Sequence, residues 1–122
     1  IQSQIDSIFL FQPSANIVVM GDMNTSAQDD LTGMVNLMIP IQKMGQGTHK
    51  YQGIWTCLDQ FYVSQSIATK ATTTIFSPWW LLEEDTKYLD YKPHRTYIGF
   101  RYNDGYSDHL PIVLHLRLDN KE

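Results

Sequence analysis

Along residues 1–12, IQSQIDSIFLFQ, the apolar positions Ile1, Ile5, Ile8 and Phe9 recur at helical spacing. Pro13 stops the pattern, so a helix is predicted over 1–12. The β-branched run IVVM at 17–20 predicts a buried strand that delivers GDMN, residues 21–24, at its C-terminal end. Thr25 and Ser26 are good N-caps, and Leu31, Met34, Val35 and Met38 then follow at i, i+3, i+4 and i+7. That spacing predicts a second helix ending before Pro40. Residues 43–53, KMGQGTHKYQG, read as a loop. Partial alternation over 54–64 predicts a strand with Asp59 inside it, and the Thr-rich stretch 68–76 predicts another. Ser77-Pro78 breaks that strand, and 79–97 reads as an irregular loop with a short helical turn. Asn103-Asp104-Gly105 signals a turn, and IVLHLRL at 112–118 a last strand. There is no internal repeat.

These elements make a mixed α/β (α+β) chain, a mixed β-sheet with flanking helices, in 122 residues that suffice for one domain at most. Ile17, Val18, Val19, Leu58, Phe61, Val63, Ile112, Val113 and Leu114 are apolar on both sides of the predicted strands. Helices can cover one face, and little sequence remains for the other. Leaving that face wet would exceed the few hundred Å² of contiguous apolar surface that monomers tolerate, so the chain is expected to self-associate or to swap its first helix. Nine bases against thirteen acids, a net charge of −4, argue against tight duplex binding but leave a nucleic acid open as a transient substrate. The single cysteine, Cys57, excludes an intrachain disulfide. No apolar run approaches the roughly 20 residues of a membrane helix. The chain opens at Ile1 with no signal-like segment, which predicts a piece of something longer and leaves its localisation unreadable.

Three segments carry candidate chemistry. In GDMN, Asp22 supplies charge for a cation or a water, and Asn24 a neutral donor for a phosphate oxygen. The plainer reading is an Asx turn. In LDQFYVS, residues 58–64, Asp59 sits between apolar neighbours, where an acid is expensive to bury unpaired. It either orients a histidine or simply faces water. In SDHLPI, residues 107–112, Asp108 could ligate a hard cation and His109 could act as acid, base or charge stabiliser. The plainer reading is a polar turn entering a strand. His49, His94 and His115 with Cys57 match no CxxC or HExxH spacing, which speaks against a structural zinc site. Trp55, Trp79 and Trp80 suit packing better than ligand stacking.

Taken in order, GDMN after an apolar strand, LDQFYVS preceded by GTHKYQGIW, and YSDHLPI resemble the endonuclease/exonuclease/phosphatase family. The resemblance implies half of a DNase I-like four-layer sandwich, with residues 1–122 as the C-terminal half of the domain and the N-terminal half absent. It implies a divalent-metal phosphoesterase that uses Mg²⁺ or Mn²⁺ to cleave a phosphodiester or phosphomonoester. The substrate class stays open among nucleic acid, small phosphoester and lipid headgroup. By resemblance, Asp22 orients or deprotonates the attacking water and Asn24 holds phosphate oxygens. Asp59 pairs with His109, which contacts the scissile phosphate, and Asp108 ligates the cation, which is expected to lie between or near Asp22 and Asp108. Gln60 stands where relatives place His or Tyr. Without the missing half and its metal-binding Glu, the chain alone is expected to be inactive. The alternative is a binding or assembly module that kept the fold without the chemistry.

Overall fold

The computed structural model describes residues 1–118. The first helix, α1 (Gln2–Phe11), forms where its apolar spacing places it, and it buries Ile5. The IVVM run becomes β1 (Val18–Asp22), which carries Asp22 as its last residue. The predicted second helix does not form. Met34–Asn36 is instead a strand, β2, and helix α2 (Ile39–Lys43) starts only after it, with Pro40 in its first turn. Two local features explain the difference. Gly33 adopts a left-handed φ of +84°, which interrupts a helix. Asn36 is buried, where its amide donates to the Gln28 carbonyl and to Gln60 Oε1 while its oxygen accepts Met38 N–H. A helical period has lost here to strand pairing and a side-chain network.

The expected 43–53 loop contains β3 (His49–Tyr51), and the 54–64 strand is split into β4 (Ile54–Thr56) and β5 (Asp59–Ser64). A short helix α3 (Gln65–Ala68) leads to β6 (Ala71–Ile75). The irregular stretch begins with a 3₁₀ turn at Trp79–Leu81, matching the expected helical turn. It then folds into strands that the sequence did not announce: β7 (Leu82–Asp85), β8 (Asp90–Pro93) and β9 (Tyr97–Ile98). The remaining strands are β10 (Arg101–Tyr102) and β11 (Ile112–Leu116).

Strands pair as a three-stranded sheet, β1-β5-β2, and four two-stranded ribbons, β3-β4, β6-β11, β7-β8 and β9-β10. All the pairings are antiparallel. One face of the central sheet presents Tyr62 and Met34, which pack with Ile5 of α1, supported by Phe9, Ile17 and Val19. Phe61, on the other face, joins Met38, Ile41 and Cys57, and Ile75, Ile112 and Leu114 of the β6-β11 ribbon pack against them. This second covering is partial. Phe61 and Val63 are buried, yet Val18 and Met20, their register partners on β1, are 39% and 69% exposed. Among the described residues no helix is long and apolar enough to cross a membrane.

Candidate active site

The β1-β5 register sets Asp22 directly opposite Asp59, at the end of one strand and the start of the other. Facing residues in an antiparallel pair project to the same side, so two carboxylates meet at one corner of the sheet. Met23 N–H donates to the Leu58 carbonyl at 2.9 Å, which carries the pairing one step past β1. Gly21, at φ +143°, permits the turn. Asn24 follows in the left-handed region at φ 54°, and its N–H donates to Asp22 Oδ1 at 2.8 Å. The Asx turn is therefore formed, and it also aims the Asp22 carboxylate.

The histidine reaches this corner from the far end of the chain, and a buried threonine guides it there. The Thr48 hydroxyl accepts N–H bonds from Leu58 at 3.1 Å and Asp59 at 3.4 Å, and the Thr48 carbonyl accepts Leu110 N–H at 2.7 Å. One fully buried residue thus ties the start of β5 to the segment that holds His109. Gly47 beside it has no room for a side chain, since a Cβ there would stand 2.5 Å from Thr56 N. The His109 backbone N–H donates to Ser107 Oγ at 3.0 Å. With the loop so fixed, His109 Nδ1 lies 2.8 Å from Asp59 Oδ2, and Nε2 lies 4.0 Å from Asp22 Oδ2. Burial alone would lower the affinity of His109 for its proton. The hydrogen bond and charge of Asp59, then the charges of Asp108 and Asp22, outweigh it and hold the imidazolium above its ordinary pKa. With Asp59 ionised, Nδ1–H donates to it and Nε2 is free to face the cleft.

Asp108 takes a different direction. It is about half exposed, and its nearest cation is Arg95, with Nη2 at 3.8 Å from Oδ2. His49, which the spacing argument set aside, lies against the site with its ring centre 5.1 Å from that of His109. Burial and the charge of His109 push the His49 pKa down. Asp22, Asp59 and His109 offer ligand atoms within 4.8 Å of one another, and so do His49, Asp108 and His109. Among the described residues Asp22 and Asp108 do not share such a group, and His109 is what their groups have in common. The two acids at the strand ends, Asp22 and Asp59, meet His109. Asn24 stays exposed at the rim. Gln60 is internal scaffolding, buried and donating to the Thr25 and Cys57 carbonyls. Spacing rules passed over His49, Arg95 and Thr48. The usable signal lay in the GTH triplet of the segment before LDQFYVS.

A cleft of about 450 Å³ opens from Asp59 and His109 and is walled by Phe76, Trp80 and Tyr106. The donor set suits a hard cation. Mg²⁺ uses one or two carboxylates and leaves its other positions to water and phosphate oxygens. Asp22 and Asp108 are each about half exposed at the site, with oxygens free to serve.

Strand-end carboxylates beside an acid-held imidazole are the parts with which a metal-assisted phosphoester hydrolase stabilises developing charge. Residues 1–118 match the endonuclease/exonuclease/phosphatase family, and the chain belongs to it. The family hydrolyses phosphoester bonds and is typically dependent on a divalent metal. No curated protein and no solved structure matches the chain.

Proposed function

We propose that the chain carries the phosphate-contacting side of a divalent-metal phosphoesterase site, and that water attacks the phosphorus in line with the leaving group. The 2.8 Å contact between Asp59 and His109 carries this reading. It fixes the tautomer and favours the charged ring, which then presents Nε2–H to a nonbridging oxygen as charge accumulates there. Asp22 orients the attacking water and takes its proton. Asn24, beside it at the rim, donates its amide to a phosphate oxygen. Asp108 holds Mg²⁺ or Mn²⁺, which when bound polarises the phosphoester and neutralises its charge. The substrate is a phosphodiester or a phosphomonoester.

We also read residues 1–122 as the C-terminal half of a four-layer sandwich. The exposed Val18 and Met20 face on β1 supports a missing layer, and two half-exposed carboxylates make a sparse ligand set that a further acid would complete. The chain alone is then inactive and self-associating. The test is hydrolysis of bis(p-nitrophenyl) phosphate and p-nitrophenyl phosphate in Mg²⁺ or Mn²⁺. The complete domain should cleave at least one of them, and His109→Ala should reduce the rate by about 10²-fold or more. A folded complete domain that is inert toward both, and toward nucleic acid and lipid phosphodiesters, would favour a binding module. Metal-dependent turnover by residues 1–122 alone, lost in His109→Ala, would refute the half-domain reading.

A further inference from the structure

His49 has no part in the hydrolytic scheme above, yet it belongs to a ligand cluster beside the site. With Asp108 and His109 it offers three ligand atoms within 4.8 Å of one another. We propose that His49, Asp108 and His109 form a binding site for a borderline transition-metal cation such as Zn²⁺, which would compete with a hard cation for Asp108.

Three observations support it. The first is donor chemistry. Two imidazoles and one carboxylate suit Zn²⁺ and its neighbours, whereas Mg²⁺ prefers oxygen ligands. The second is ring geometry. With Zn–N near 2.1 Å, two imidazoles bound at a tetrahedral angle have centres about 5 Å apart. The rings of His49 and His109 are 5.1 Å apart, tilted by 47°. The third is support behind the ligand. His109 already gives Nδ1 to Asp59 at 2.8 Å, which leaves Nε2 for a metal, and a carboxylate behind a histidine is the usual way such ligands are oriented. Asp108 is half exposed and its Arg95 contact, at 3.8 Å, is longer than a hydrogen bond, so the carboxylate is free to turn inward. Water completes the coordination.

Only one consequence rests on the hydrolytic reading: a metal on Nε2 of His109 removes that nitrogen from the phosphate, so Zn²⁺ would oppose the reaction. Binding itself does not depend on it. The experiment is calorimetric titration of ZnCl₂ into the purified chain in a non-chelating buffer, with Co²⁺ spectroscopy in parallel. The expected result is one ion per chain, with Co²⁺ bands of a nitrogen and oxygen site and no thiolate charge-transfer band, since Cys57 is buried. His49→Ala and the bulkier His49→Gln should each weaken Zn²⁺ binding by about 100-fold or more. Asp59→Asn should weaken it by about 10- to 100-fold. His115→Ala should leave it within about twofold, and Asp22→Ala, which removes a charge 4.0 Å from Nε2 but no ligand, should weaken it by less than about tenfold. Circular dichroism shows which variants fold, and either folded His49 variant suffices. Unchanged affinity in a folded His49 variant would overturn the proposal, as would loss of binding in Asp22→Ala or His115→Ala instead. Failure of hydrolysis with Mg²⁺ leaves the zinc isotherm untouched, so the two readings fail separately.

Discussion

Replacing Asp59 with Asn would keep the shape of the partner behind His109 and remove its charge. The 2.8 Å hydrogen bond can persist, but the largest of the charges that oppose burial is gone. The His109 pKa should therefore fall, held up only by the charges of Asp108 and Asp22, as read by the NMR shifts of the imidazole protons against pH. An unchanged midpoint would mean that Asp59 does not set the charge of the ring. The same shift has a stability consequence. A histidine whose pKa is raised by folding stabilises the protein fully below its unfolded pKa, and the contribution is lost as pH rises through the folded value. Thermal stability of the wild type should thus decline from about pH 6.5 upward on account of His109, and this part of the decline should shrink in Asp59→Asn. At this scale the motifs pair Asp59 with His109, and the two lie 2.8 Å apart. The spacing of His49 fits no linear metal pattern, and only the approach of β3 to the His109 segment brings the two rings together.

Lys50 shows what individual elements need in order to hold their places. It lies on β3, in the stretch whose glycines and polar groups read as a loop. Its side chain is 2% exposed, and its ammonium meets Asp85 at 3.3 Å, Asp90 at 3.0 Å and the Tyr91 carbonyl at 2.9 Å. Three donors find three acceptors, and β3 is pinned to the β7-β8 ribbon. Trp55 of β4 adds its indole N–H to Asp90 at 3.2 Å. Lys50→Ala would strand the nearly buried Asp85, and truncating one partner of a buried ion pair costs about 3–5 kcal/mol. Urea unfolding should show that loss, and a cost below about 1 kcal/mol would mark the cluster as a surface pair. The backbone bond from Tyr91, then Lys50, lowers the Asp90 pKa, so its contribution is present above about pH 4 and lost as pH falls through the depressed value. Elements built this way are hard to read in advance. β7 and β8 carry LEED and DYKP, with no apolar alternation. The helix expected over 31–38 failed for the same reason, because the edge of β5 and the Asn36 network decide that stretch.

For the whole molecule, the unfinished face of the central sheet is the feature with the largest physical consequence. Val18 and Met20 sit beside the buried Val63 and Phe61. Apolar burial contributes roughly 25 cal/mol per Å², so covering a few hundred Å² would be worth several kcal/mol. Light scattering of residues 1–122 should report a mass above that of one chain, rising with concentration. Met20→Asp should shift it toward the monomer. A wild-type chain that stays monomeric at millimolar concentration would remove the argument for a missing layer from this face.

Local pattern by itself determined α1, β1, the Asp59 strand, the Thr-rich strand and the last strand, because each carries its own period or β-branched run. It also singled out Asp22, Asn24, Asp59, Asp108 and His109 as candidates, because those residues sit in short motifs whose order along the chain is informative. Tertiary structure alone decided β2 in place of a helix, the β7-β8 ribbon, and the placement of His49 and Arg95 beside the site. These depend on hydrogen bonds, ion pairs and ring contacts between residues far apart in sequence. His109 and Asp59 are 50 positions apart, and Lys50 and Asp90 are 40. Periodicity records which face of an element is apolar. It carries no record of which distant polar group will be there to complete a hydrogen bond.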